Sequence, residues 1–280
     1  MKNVIKIAAA GALALSASAT AAYANATAQP GETAGLAMGA PLPEGVYFVN
    51  TLDWGVTDTP GGDTRTGVDI PVIAWSTPWH PLGANFQLLG ALPMIHADGP
   101  GGAFDDAGLY NPFLAAKVAF DLGNGFGVSY LSGVYFNAGE KNIRVHATTW
   151  RQDFAISYTA DGWNLTANLI WGLKDNNVRD GFNLDLTATK TFGKWEIGAI
   201  GFGSTQYDVS RRDRRLNGGK VEGFAVGPLV GYNFGPVIAQ AALTTSIYSK
   251  NSSDDTRGWF RLIVPLWTPE APMTPLVTKY

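Results

Sequence analysis

The side chains that most often carry acid–base or metal chemistry are few and far apart in this chain. Three histidines, His80, His96 and His146, and no cysteine occur among its 280 residues. No two of these histidines have the spacing of a metal-ligating pair, and no Gly-x-Ser-x-Gly motif marks a serine nucleophile. We therefore expect no catalytic residue, no metal and no cofactor.

A larger set of polar residues recurs inside otherwise apolar segments. Asp185, for example, stands between Leu184 and Leu186. Successive side chains of a β-strand point to opposite faces, so residues of this kind would share one face of a sheet. The set comprises Lys117, Arg151, Asp153, Asn164, Asn168, Asp185, Glu196, Gln240 and Arg261.

The elements that position this set are predicted to be long β-strands. Apolar and polar residues alternate from Trp163 to Trp171 and again from Phe182 to Thr189. Twelve such segments lie between residues 45 and 267, the third at 84–96, the fourth at 112–121 and the sixth at 146–159. Their lengths of about ten residues or more suit strands that cross a membrane at a tilt.

The connections between these segments alternate in length. Tight turns such as Asn124-Gly125 and Asp161-Gly162 are typical of two-residue hairpins. The connections on either side of them are longer and more polar, as at 97–111 and 208–219. Tryptophans stand near strand ends, as an interfacial girdle requires: Trp54, Trp75, Trp150, Trp163, Trp171, Trp195, Trp259 and Trp267. The sequence therefore predicts an all-β fold, a transmembrane up-and-down antiparallel β-barrel of about 12 strands.

The regions outside the strands have different compositions. Residues 1–26 combine two lysines, an apolar stretch and small residues before Ala26, which predicts a signal peptide. Residues 27–44 form a Pro/Gly/Ala-rich N-terminal lead segment, which we interpret as periplasmic or plug-like. Residues 45–267 form the barrel, and 268–280 an extended C-terminal tail with three prolines. The formal net charge is −3, which argues against a nucleic-acid partner. We expect outer-membrane lipid and a small molecule as partners.

Several short motifs of the mature chain resemble those of a known family. They are Pro43-Glu44-Gly45-x-Tyr47, Gly108-x-x-Asn111-Pro112, the run 201–207, Phe224 to Pro228 with Gly231-Tyr232, and the last strand from Arg261 to Trp267. In these features the chain is similar to the outer-membrane family named after the "meta-pathway of phenol degradation". The resemblance implies an outer-membrane barrel that helps the uptake of small hydrophobic, often aromatic, compounds, and it implies no enzyme.

Together these observations favour an outer-membrane channel or transporter for passive uptake, in which the nine polar residues above line the substrate path. Pro93 interrupts the third strand and would mark a lateral opening in the wall. Arg211, Arg212, Arg214 and Arg215 could contact lipopolysaccharide phosphates.

Two other functions stay open. One is a structural or surface-interaction barrel with a plugged lumen. The less favoured one is an outer-membrane lipid hydrolase, in which His146 and Thr148 would share the lipid-facing side of the sixth strand.

Overall fold

The computed structural model describes residues 28–59, 61–174, 181–207 and 219–269. Most of these residues belong to fourteen β-strands. The strands are β1 Gly45–Thr59, β2 Gly62–Ser76, β3 Asn85–Ala91, β4 Met94–Asp98, β5 Asp105–Leu109, β6 Phe113–Gly123, β7 Phe126–Tyr135, β8 Thr149–Tyr158, β9 Trp163–Lys174, β10 Gly181–Phe192, β11 Trp195–Gln206, β12 Glu222–Asn233, β13 Ile238–Lys250 and β14 Asp255–Trp267.

These strands close into one antiparallel barrel. The pairing runs from β1 through β2, β3 and β6 to β14, and β14 pairs again with β1. The short strands β4 and β5 pair with each other, and β4 also pairs with β2. Twelve strands therefore form the closed wall, as predicted. Closure leaves no free sheet edge around the ring, which is what a strand-built membrane protein requires.

The predicted third strand, 84–96, is interrupted. Both β3 and β4 pair with β2 in one register, Ala91 opposite Val72 and Met94 opposite Asp69. On the other side, two residues between β3 and β4 oppose three residues between β5 and β6. The extra residue is a bulge, and it occurs where prolines deny the ladder its N–H donors.

Tight hairpins connect several neighbouring strands at one rim of the barrel. Asn124 and Gly125 have φ of 53° and 82°, and Asp161 and Gly162 have φ of 54° and 75°. Positive φ at both central residues is the geometry of a type I′ turn. We call this end the short-turn rim and the opposite end the long-connection rim.

The outer face of the wall is apolar. On β8 and β9, Phe154, Ile156 and Leu165 are 42–49% exposed, while Ala155 and Ser157, which alternate with the first two, are buried. In the described part of the chain, no helix is long and apolar enough to cross a membrane.

The predicted tryptophan girdle needs one correction. Trp259 is 7% exposed and packs inside the barrel against Phe202, with ring centroids 5.4 Å apart. It has the same alternation parity as the buried Arg257 and Arg261, which places it on the inward face. The prediction for Trp259 was wrong because nearness to a strand end was weighed without parity.

The N-terminal residues 28–44 form turns and no strand. Local hydrogen bonds run along the segment, such as Ala34 N to Gly31 O at 3.1 Å and Leu36 N to Thr33 O at 3.0 Å. Ala28 and Ala34 are 6% and 2% exposed, because the segment lies inside the barrel.

Candidate functional site

The interior of the barrel is the candidate functional site, and Asp185 on β10 is a main anchor of its contents. One Asp185 carboxylate oxygen accepts the backbone N–H of Gly31 at 2.9 Å. The other oxygen accepts the Thr33 N–H at 3.0 Å and the Thr33 hydroxyl at 2.7 Å. Asn168 on β9 donates to the same hydroxyl at 3.0 Å. A buried carboxylate is thus satisfied by backbone donors of the N-terminal segment.

Two arginines bind the same segment from other strands. Arg151 on β8 holds Asp153 with two hydrogen bonds of 2.8 Å and forms an ion pair with Glu32. Arg261 on β14 donates to the carbonyl oxygens of Ala34 at 2.6 Å and Glu32 at 2.7 Å. Both guanidinium groups lie in the interior, where each charge needs partners of this kind.

Further contacts follow the segment toward β1. The carbonyl oxygen of Gly35 accepts hydrogen bonds from Asn164 at 3.2 Å and from Gln240 at 3.1 Å. Ser129 on β7 donates to Met38 O at 2.7 Å, and Ser76 on β2 to Leu42 O at 2.8 Å. The segment therefore crosses the lumen from β10 to β2 and is held by several strands.

Close approach explains why a glycine stands at position 31. Its φ is +90°, and a Cβ there would lie 2.7 Å from Phe202 and 2.9 Å from Trp259. Phe202 and Trp259 form a small apolar cluster with Ala225 inside the wall. The segment is thus held by apolar packing as well as by polar bonds.

The nine polar residues predicted from the sequence all lie on the inward side of the wall. Most of them bind the N-terminal segment or a residue that binds it, and Glu196 accepts a hydrogen bond from Gln240 at 2.8 Å. Lys117 on β6 stands apart from this network and is 5% exposed. The role of the nine residues in a substrate path stays a prediction.

The sequence analysis missed a second charged cluster nearer the long-connection rim. Arg257 on β14 forms ion pairs with Asp53 on β1 and, at 3.0 Å, with Asp255. Asp53 and Asp255 are 1% and 5% exposed. The position of Asp53 between Leu52 and Trp54 was the available signal, because the same alternation had identified Asp185. Glu32 carried no such signal, since its segment has no period.

Another part of the inward face is apolar. It comprises buried residues of strands β2 to β7, with Phe113 and Tyr135 rings 4.4 Å apart between centroids. We call this cluster the apolar wall: Val68, Ile70, Ala91, Phe113, Ala115, Leu131 and Tyr135. Tyr110, Leu89 and Ile95 pack against it. Alternation does not reveal an apolar inward patch on strands whose outer face is apolar too.

Pro93 lies beside this apolar wall, at the break between β3 and β4. Its carbonyl oxygen accepts the Tyr110 N–H at 2.8 Å, and Leu92 N donates to Pro71 O at 3.2 Å. Asn111, in the bulge, is fully buried and donates to Val145 O and Ala147 O of the β7–β8 connection at 2.9 and 3.1 Å. The break is therefore bridged by single hydrogen bonds. A lateral opening at Pro93 stays a prediction.

The structure corrects the placement of His146. Strand β8 begins at Thr149, so His146 lies in the β7–β8 connection and not on a lipid-facing strand. Arg144 Nε donates to His146 Nδ1 at 3.3 Å, and Nε2 is 3.1 Å from Lys141 O. Both ring nitrogens are occupied, which removes the geometric basis for a His146–Thr148 pair. The four arginines at 211, 212, 214 and 215 lie outside the described residues.

The closed barrel, its apolar exterior and its polar, occupied interior define the class of bacterial outer-membrane barrels. The family model described as "Putative MetA-pathway of phenol degradation" matches residues 42–262. The chain belongs to this family, as its sequence motifs predicted.

The chain is similar to solved structures of outer-membrane proteins, and one of them, with a TM-score above 0.5, shares its fold. The COG4313 outer-membrane channel from Pseudomonas putida F1 has a TM-score of 0.67 at 13% identity, covering 81% of this chain and 97% of that one. The translocator domain of the autotransporter NalP from Neisseria meningitidis has a TM-score of 0.47 at 12% identity, covering 80% and 89%. No curated protein sequence matches the chain.

Proposed function

We propose that the protein is an outer-membrane channel for the passive uptake of small, largely apolar molecules, aromatic compounds among them. The observation that carries the proposal is the apolar wall. Its seven residues are at most 8% exposed and face the interior. The N-terminal segment is bound by β8 to β14 at residues 31–35, and it passes β7 and β2 nearer the short-turn rim, at Ser129 and Ser76. A polar solute gains nothing from the apolar wall, whereas an apolar solute exchanges water for it.

In this proposal the long-connection rim faces the cell exterior, as in other outer-membrane barrels. A solute enters there, meets the apolar wall and diffuses down its gradient. Weak contacts at several positions suit passage better than one tight site, because a tightly bound solute leaves slowly. The chain acts by conduction, and no step of bond chemistry is assigned to it.

Uptake of labelled toluene by cells that produce the protein in a deletion strain tests the proposal. Leu131→Asn places an amide in the apolar wall and is expected to lower uptake several-fold. Leu229→Asn is the matched control, because Leu131 and Leu229 are both 3% exposed but Leu229 packs beside Ala34 of the N-terminal segment. Equal uptake with and without the protein would contradict the proposal.

The density of contacts around the N-terminal segment supports a second candidate, a structural barrel with a plugged lumen. Glu32, Thr33 and Gly35 are each bound by residues of two or more strands. This candidate would be favoured if cells that produce the protein take up no toluene and the purified protein shows no conductance in planar bilayers.

A further inference from the structure

Lys117 differs from the other cations buried in the barrel. Arg151, Arg257 and Arg261 each bind a carboxylate or backbone carbonyl oxygens. Within the described residues, the Lys117 ammonium has no hydrogen bond and no ion pair, although the residue is 5% exposed. It lies between the buried Ala115 and Ala119 in the inward parity of β6. A buried charge without a direct hydrogen-bonded partner is costly, so an ammonium with none at this place calls for an explanation.

The charge of Asp153 attracts the Lys117 ammonium, but within the described residues the two groups form no hydrogen bond and no ion pair. Lys117 is directly opposite Leu131 on β7, and Leu131 is in turn opposite Asp153 on β8. Both carboxylate oxygens of Asp153 accept hydrogen bonds from Arg151, at 2.8 Å each. Asp153 is therefore committed to the arginine.

Lys117 also lies at the edge of the apolar wall. Its direct neighbour Leu131 belongs to that wall, and so does Ala115, the next inward residue of β6 toward the long-connection rim. On the other side, Ser129 opposes Ala119 and holds Met38 of the N-terminal segment.

Arg151 lies over the Phe113 ring, 5.4 Å from its centroid, and donates to the Tyr135 hydroxyl at 3.2 Å. A solute that enters from the long-connection rim thus meets apolar side chains beside this guanidinium, whose acids are Asp153 and Glu32, and then the Lys117 ammonium, with Gln87 opposite it on β3.

We propose that Lys117 and the apolar wall together bind a small molecule with one carboxylate on an apolar body, such as an aromatic acid. The carboxylate would pair with the Lys117 ammonium, and the apolar body would contact Leu131, Phe113 and Tyr135. A charged hydrogen bond of this kind is roughly twice as strong as a neutral one. This inference rests on the proposed function and narrows its substrate class.

Equilibrium binding to the full protein in lipid nanodiscs tests the site with two probes of similar shape. Benzoate carries the charge and benzamide does not. Lys117→Met is expected to weaken benzoate binding by about tenfold or more, because the loss of one partner of a buried charge pair has an effect of this size. Benzamide binding should not change. Lys117→Arg keeps the charge and should keep the preference for benzoate.

Lys190→Met is the matched control. Lys190 lies on the outer face of β10, with its ammonium 4.7 Å from the Trp163 ring centroid, and the substitution makes the same chemical change outside the lumen. It should leave benzoate binding unchanged. The heat-dependent mobility of the barrel on detergent gels reports whether each variant is folded.

Unchanged benzoate affinity in Lys117→Met would overturn the inference, as would equal affinity of the wild type for benzoate and benzamide. If chloride at the same concentration as benzoate displaced benzoate completely, the contribution assigned to the apolar body would be overturned. The toluene assay separates this inference from the function on which it rests. Normal toluene uptake with no benzoate preference removes only the Lys117 site, whereas no toluene uptake removes the proposed channel.

Discussion

The two halves of the barrel interior are built from different residues and have different contents. The inward side chains of β8 to β14 bind residues 31–35 of the N-terminal segment, through Asp185, Arg151 and Arg261. Ser129 on β7 and Ser76 on β2 bind its later residues, nearer the short-turn rim. The apolar wall on β2 to β7 contains no residue of that segment in the described part of the chain. The comparison indicates that residues 31–35, whose peptide groups need polar partners, are held by strands with polar inward side chains, whereas the inward face of β2 to β7 carries a cluster of apolar side chains.

The largest expected difference is in the free energy of unfolding when a buried cation on either side of the barrel is replaced by methionine. Arg257→Met leaves Asp53 and Asp255 buried without their cation, which should lower the free energy of unfolding by about 3–5 kcal/mol. Lys117→Met removes a charge that forms no direct ion pair within the described residues and should leave stability within about 1 kcal/mol of the wild type, or raise it. Urea unfolding in lipid vesicles, followed by tryptophan fluorescence, measures both. Equal losses would contradict the distinction.

Release of the N-terminal segment is the next effect in size. Asp185→Ala removes the acceptor of three hydrogen bonds, each worth about 1.5–3 kcal/mol because the acceptor is charged. The segment should leave its place more often, and ion conductance in planar bilayers should rise several-fold. Asp63→Ala, at an exposed position in the first hairpin, is the control and should conduct like the wild type.

Gly31→Val is expected to release the N-terminal segment less often than Asp185→Ala does. The substitution adds a side chain that meets Phe202 and Trp259, at a φ of +90° that costs an L-residue about 1–2 kcal/mol. Gly83→Val, at φ +80° with open space around it, separates the backbone strain from the steric clash. Limited proteolysis near residue 30 should increase for Gly31→Val alone. Similar cleavage of both variants would show that packing against β11 and β14 does not hold the segment.

The smallest effect is expected at the break beside the apolar wall. Pro93→Val restores one N–H to the seam between β3–β4 and β5–β6, which adds about 0.5–1.5 kcal/mol of hydrogen bonding there. If apolar solutes leave sideways at this seam, toluene uptake should fall while conductance stays the same. Unchanged uptake would assign the route to the lumen alone.

Most of the twelve-stranded barrel could be predicted from the sequence. Alternation placed Asp185, Asn168 and Arg261 on the inward face, and the Asn-Gly and Asp-Gly pairs marked the tight hairpins, since both features depend on residues close together in the chain. The reasoning was wrong for Trp259, where nearness to a strand end was weighed without parity. It was also wrong for His146, where the sixth strand was predicted to begin three residues before Thr149.

The apolar wall and the contents of the lumen were not predictable in this way. Val68, Phe113 and Leu131 come from three strands, and their contact exists only after the barrel has closed. The bond between Thr33 and Asp185 joins residues 152 positions apart. No local pattern encodes such a pairing, because the segment has no period and its donors are backbone groups that every residue has.

The sequence by itself determined the strands, their two faces and the alternation of short and long connections, because these follow from a period of two and from turn chemistry. The tertiary structure decided which strands hold the N-terminal segment, which cations form ion pairs and where apolar residues face inward. Those outcomes depend on strand register and closure, which bring together side chains far apart in the chain.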